Sequence, residues 1–267
     1  MTIEQGGGHL FVTGCPRSGT TALARLLNFH PQIAIGLERY KRYVAWGHRW
    51  KIRPRLFEPS AFLQVRHQQT NLLPQSSPVA NNWYARLQTK LDAGQVQWVG
   101  DKVPNYYTIW RLLVRRFPHI RVLFILRDPV DVASSWQRRA RNPKDRWPSH
   151  NDFSKTASEY NAMLRAILAM QQHASDKLLV VDYAHVFSEQ RTLAALLQQI
   201  KLELTPNMAK KARDLNQHYS NAPNKTNSQN ALTTDQQHAV RQAVDIAALN
   251  AIKSRMIDGV LPTNSTL

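Results

Sequence analysis

Residues 14–21, Gly-Cys-Pro-Arg-Ser-Gly-Thr-Thr, follow a short apolar run at 9–13 and precede a stretch with helical spacing. Strand, tight turn and helix form the context in which a loop grips phosphate. Gly14 and Gly19 let the backbone bend closely round an anion. The first N–H groups of the helix point at that anion, and the helix dipole favours negative charge there. Pro16, Arg17, Ser18, Gly19, Thr20 and Thr21 are therefore the expected anion-binding residues. Arg17 adds a forked cation, and the two threonines add hydroxyl donors. The glycine spacing is that of the nucleotide-kinase loop GxxxxGK[ST], but the lysine position holds Thr20. The lysine that would reach the β and γ phosphates is missing, which argues against ATP or GTP as donor.

A second constellation lies at 122–135, Val-Leu-Phe-Ile-Leu-Arg-Asp-Pro-Val-Asp-Val-Ala-Ser-Ser. The apolar run has the pattern of a strand buried on both faces. Arg127 stands at its carboxyl end, where α/β sheets bind ligands. Asp128 and Pro129 open a helix as N-cap and first-turn residue. Ser135 falls about two turns into it, roughly 9 Å along the axis. Arg127 and Ser135 could both bond one further phosphate.

These two segments together resemble the sulfotransferase superfamily. The resemblance spans about residues 9–136 and continues less closely to about 190. It implies that residues 15–21 hold the 5′-phosphosulfate of 3′-phosphoadenosine 5′-phosphosulfate (PAPS), with PAP as product. Arg127 and Ser135, eight residues apart, match the Arg and Ser that hold the 3′-phosphate. Tyr183, in Val-Val-Asp-Tyr, matches a tyrosine placed near the adenine, although the acidic residue often found after it is Ala184 here.

Two further residues take roles from the resemblance. His30-Pro31 and Glu38 resemble the arrangement in tyrosylprotein and several glycan sulfotransferases, where a Glu is the catalytic base. A carboxylate in reach can take the proton that an attacking hydroxyl must lose. Lys102, in Gly-Asp-Lys-Val-Pro, matches a lysine that contacts the sulfonate and the bridging oxygen. Arg17 and Lys102 would neutralise charge there. The small-molecule branch often has a catalytic His two residues after that lysine; here the position is Pro104, which favours Glu38 and disfavours steroids and phenols. The reaction needs no metal in this family, no HxxxH spacing occurs, and none is expected.

The remaining chain must position these groups. Apolar runs at 33–35, 96–100 and 178–181 are further strand candidates, and helical patterns follow at 104–117, 153–168, 186–200, 206–215 and 235–256. The alternation predicts an α/β fold of the P-loop NTPase-like three-layer type, a mostly parallel central sheet flanked by helices. The 267 residues fit a single domain, 1–267. Within it, 40–90 has the character of an insertion or lid near the acceptor site. The stretch 39–55 is basic and aromatic, either a polyanion-binding lid or a solvated face. Residues 219–225 have loop character.

Lys and Arg total 35 against 18 acidic residues, a net charge of +17, which attracts anions of any class. The acceptor is thus a hydroxyl-bearing molecule that could itself be anionic: glycan, glycolipid, small molecule or peptide, with a carbohydrate-type hydroxyl favoured. Two other functions stay open, a P-loop small-molecule kinase and a non-enzymatic polyanion or nucleic-acid binder. No nucleic-acid module is recognisable, and no nucleic-acid partner is expected. Cys15 is the only cysteine, so an intramolecular disulfide is excluded and a reducing compartment is expected. The first residues lack a signal-peptide pattern, and no window holds the roughly 18 apolar residues of a membrane span. The expected location is cytoplasmic.

Overall fold

The computed structural model describes residues 7–145, 147–220 and 232–263. Most of the expected loop at 219–225 lies outside the described residues. Six strands form one sheet: β1 (Gly8–Thr13), β2 (Ile33–Leu37), β3 (Trp98–Lys102), β4 (Ile120–Leu126), β5 (Leu178–Asp182) and β6 (Val260–Leu261). Their order is β2-β3-β1-β4-β5-β6, with β5–β6 antiparallel and the other neighbours parallel. Side chains of β1, β2 and β5 are buried throughout, which explains why these strands are apolar on both faces.

The helices are α1 (Thr20–Leu27), α2 (Lys41–Ala45), α3 (Pro59–Phe62), α4 (Pro78–Asp92), α5 (Trp110–Arg116), α6 (Pro129–Ala140), α7 (Phe153–His173), α8 (Tyr183–Val186), α9 (Gln190–Gln198), α10 (Pro206–Ser220), α11 (Thr234–Ala243) and α12 (Ile246–Lys253). Start signals act as the residue types dictate. The Asp128 carboxylate accepts from the N–H groups of Val130 (2.8 Å) and Asp131 (3.2 Å), and Pro129 takes the first helical position. Asp152 caps α7 in the same way.

Two features differ from the sequence expectation. Strand β3 runs on through Asp101 and Lys102, although the apolar run stops at Gly100. The helix expected over 235–256 is two helices, because Asp245 caps a new start through Ala248 N–H (2.9 Å). In the region 40–90, α4 packs on β2: Trp83 Nε1 donates to the Ile35 carbonyl (2.8 Å), and Tyr84 and Leu87 are buried.

The basic stretch is tied to the core. Arg39 is fully buried and donates to the carbonyls of Phe62 (2.9 Å), Gln64 (2.6 Å) and Ala61 (3.2 Å), so it is framework and not a lid cation. Phe57 packs among His9, Phe11, Tyr40, Phe62 and Phe117. Trp46 and Trp50 stay exposed, with Arg42 and Lys51 against their rings. Among the described residues no helix is long and apolar enough to cross a membrane.

Candidate active site

Each of the five parallel strands ends on a residue or loop singled out above. β1 leads into residues 14–19, β2 into Glu38, β4 into Arg127 and β5 into Tyr183, while β3 ends on Lys102 itself. A parallel sheet gathers these groups along one edge because all its carboxyl ends point the same way. Pro16, Arg17, Gly19, Glu38, Arg127 and Tyr183 line a single cavity of about 730 Å³, within the range of ligand sites; Lys102 reaches it through Glu38, and Ser18 is buried behind the loop.

The turn after β1 is held from β3's side. Thr13 Oγ1 donates to the Pro104 carbonyl (2.6 Å) and accepts from Tyr107 N–H (2.9 Å), and Gly14 N–H donates to the same carbonyl (3.1 Å). Gly14 has φ 157° and Gly19 φ 103°. A Cβ on Gly19 would also lie 2.6 Å from the Tyr183 ring, so glycine is required twice over. Arg17 takes a left-handed φ of 77°, an unusual conformation for a side-chain-bearing residue. The Ser18 hydroxyl is buried with no partner among the described residues, inside the cradle these glycines form. An unsatisfied donor and a close backbone turn fit a bound phosphate group. Cys15 serves packing here: its thiol is buried, burial pushes it well above the usual thiol range, and it is not poised as a nucleophile.

On the β4 side the structure brings Arg17 to Ser135, Nε to Oγ at 3.2 Å. The sequence pairs Arg17 with Lys102 at the sulfonate; its side chain here turns to the Arg127–Ser135 constellation. Arg127 lies over the Tyr183 ring (4.4 Å) and meets Asp131 at 3.3 Å. Burial, then the nearby Arg139 and Arg127 charges, lower the Arg17 pKa. Cations so crowded favour an anion among them. Arg138 and Arg139 also line this part of the cavity, and Arg139 pairs with Asp145 at 2.5 and 2.6 Å. The sequence reading missed both; their i+3 and i+4 spacing from Ser135 on α6 is the signal that could have found them. Trp136 Nε1 donates to the Pro16 carbonyl (2.7 Å) and so fastens α6 to the loop.

On the β2–β3 side, Lys102 Nζ bonds Glu38 Oε1 (2.9 Å) and Lys41 Nζ bonds Oε2 (2.7 Å). Glu38 stands at φ 49°, and its N–H donates to the Lys102 carbonyl (2.8 Å). Burial alone would raise the Glu38 carboxyl; the charges and hydrogen bonds of Lys102 and Lys41 outweigh it and hold it at about 2. Asp101, next to Lys102 on β3, takes no part in this pair. Adjacent strand residues face opposite sides, and Asp101 is buried, accepting from Arg39 N–H (2.9 Å), Tyr40 N–H (3.1 Å) and the Tyr106 hydroxyl (2.7 Å). It thereby fixes the turn just after Glu38. Asp101→Asn puts a donor where only acceptors fit, and a loss of about 2–3 kcal/mol of stability is expected in urea unfolding; an unchanged midpoint would contradict this role.

The profile of the sulfotransferase family matches residues 9–206, which includes every group described above. The chain belongs to the sulfotransferase family. Among solved structures it is similar in fold to sulfotransferase STF9 of Mycobacterium avium (13% identity, 89% of this chain and 76% of that one, TM-score 0.50). Sulfotransferase STF1 of Mycobacterium tuberculosis is 18% identical over 77% of this chain and 70% of that one, TM-score 0.48. Mouse sulfotransferase SULT7A1, solved in complex with PAP, is 17% identical over 91% and 77%, TM-score 0.45. No curated protein matches this sulfotransferase in sequence.

Proposed function

We propose that this sulfotransferase transfers the sulfuryl group of PAPS to the hydroxyl of a carbohydrate-type acceptor. The observation that carries the reading is the split of the cavity. Arg17, Arg127 and Ser135 gather beside β4, and the Glu38–Lys102 pair stands at the ends of β2 and β3. β3 and β4 are two strand spacings apart, roughly 10 Å, with the residue 14–19 loop between them. A donor lying along this edge would place its 3′-phosphate at Arg127 and Ser135, its 5′-phosphate at the backbone of 16–21, and its sulfonate toward Lys102.

The acceptor oxygen would attack sulfur in line. The new O–S bond forms as the S–O bond to the 5′-phosphate breaks, and the electron pair leaves on the phosphate oxygen of PAP. Glu38 would take the acceptor proton, and Lys102 would balance charge on the sulfonate and bridging oxygen. No metal takes part in these steps. The cavity lining includes the polar side chains of Asn71, Asn105 and Ser158, which supports a hydroxyl-rich acceptor over a steroid or phenol. The single cysteine supports a cytoplasmic setting.

Calorimetry with PAP, 5′-AMP and ATP, with and without Mg²⁺, tests the donor. PAP is expected to bind about 100-fold tighter than 5′-AMP, because charge-assisted bonds to one phosphate are at stake, and Mg²⁺ should change nothing. Tight ATP binding that depends on Mg²⁺ would replace this reading with the kinase. Steeply salt-dependent DNA binding without PAP binding would replace it with a polyanion binder.

A further inference from the structure

One carboxylate in the cavity has no part in the chemistry above. Glu159, on α7, lines the cavity. Its Oε2 accepts from the buried Tyr107 hydroxyl and from Asn105 Nδ2 (3.4 Å). Among the described residues no donor reaches Oε1. Burial, then the bond to Glu159, pushes the Tyr107 phenol upward, so Tyr107 remains a donor and fixes which oxygen it occupies. Asn105 follows β3, and the next residue of α7, Tyr160, donates its hydroxyl to the Arg127 carbonyl (2.5 Å), so α7 ties Glu159 to the segment after β3 and also contacts the segment after β4.

We propose that Glu159, anchored by Tyr107 and Asn105, is an acceptor subsite that receives a second hydroxyl of a polyol, next to the hydroxyl being sulfated. A carboxylate oxygen takes only donors, so the group facing it is O–H or N–H. The surrounding cations decide between them. Lys41, Lys155, Arg138 and Arg139 line the same cavity and repel an ammonium, whereas a neutral hydroxyl meets no such penalty. A polyol can present one hydroxyl to Glu38 and another to Glu159, which a monohydric alcohol or a phenol cannot. This inference rests on the reading of Glu38 as the base.

Glu159→Gln tests it. The glutamine carbonyl will turn to Tyr107 and Asn105, which leaves an NH₂ facing the cavity where an acceptor stood. With PAPS as donor and methyl glycosides as probe acceptors, KM for the glycoside should rise about tenfold while kcat stays within about twofold. Turnover of monohydric alcohols should be unchanged, and Tyr107→Phe should give a smaller rise in KM. PAP affinity, measured alongside, should match the wild type. Unchanged KM for the glycosides overturns the subsite, as does a collapse of kcat at constant KM, which would make Glu159 the base. If the wild type binds PAP yet neither binds nor sulfates any glycoside, the subsite fails while the donor reading stands. If PAP itself does not bind, the donor reading fails first.

Discussion

Glu38→Gln is expected to lower kcat by about a thousandfold, the middle of the range for a positioned general base, with PAP affinity kept within about twofold. Glutamine keeps the shape, its one carbonyl oxygen can still accept from the buried Lys102, and the half-exposed Lys41 can turn to water, so the fold of the turn survives. What it loses is the capacity to take a proton. A fall in PAP affinity as large as the fall in kcat would show instead that Glu38 is a binding residue.

The pH dependence sharpens this. Two lysines hold the Glu38 carboxyl at about 2, below its ordinary 4.5. A folded pKa that is depressed contributes stability above pH 4.5, and that contribution is lost as pH falls from 4.5 towards 2. A carboxylate so well satisfied is a weak base. If Lys102 turns to the sulfonate when the donor binds, Glu38 loses one partner and its basicity rises. The acidic limb of kcat, which reports the loaded enzyme, is then expected at higher pH than the limb of kcat/KM for PAPS, which reports the free enzyme. Coincident limbs would mean that Lys102 stays with Glu38 throughout the cycle.

Arg127→Ala is expected to weaken PAP binding by about 100-fold and to leave 5′-AMP binding nearly unchanged. Arg127 is mostly buried, and its partner Asp131 is exposed and 3.3 Å away, a contact worth at most about 1 kcal/mol. Such a pair yields readily to a phosphate dianion. The preference for PAP over 5′-AMP should therefore collapse, while Glu38→Gln preserves it. Equal losses for the two nucleotides would remove the 3′-phosphate from Arg127.

Local patterns in the sequence carried the parts of the site that one strand, one turn and one helix complete. Residues 14–21, and Arg127 with Ser135, belong to this class, because spacing along one helix or around one turn is fixed by geometry. The partners made across the fold were not legible. Asp101 looks like a surface acid at a strand end; it is buried because Arg39 N–H and Tyr40 N–H, from the turn after β2, and the Tyr106 hydroxyl, from the segment after β3, satisfy it. Arg39 looks like one of many exposed cations, and four residues between 61 and 69 enclose it. Glu159 lies 52 residues from Tyr107 in a helix of mixed polarity, and no local pattern joins them. The break near residue 245 was legible in principle, since Asp is a strong helix starter, but the apolar spacing on either side hid it.

The ring of Tyr183 touches both halves of the donor region. Arg127 lies on it, and Gly19 is packed so close that no side chain fits between. The loop and the arginine thus share one neighbour, with the ring between them. If Arg127 and residues 16–21 hold the two phosphates as proposed, this shared ring would set the distance between the two grips, like the jaws of a gauge. Such a site would select by length as well as by charge. A bisphosphate with one bond more or fewer between its anionic ends would carry the right charge and still fail to seat both.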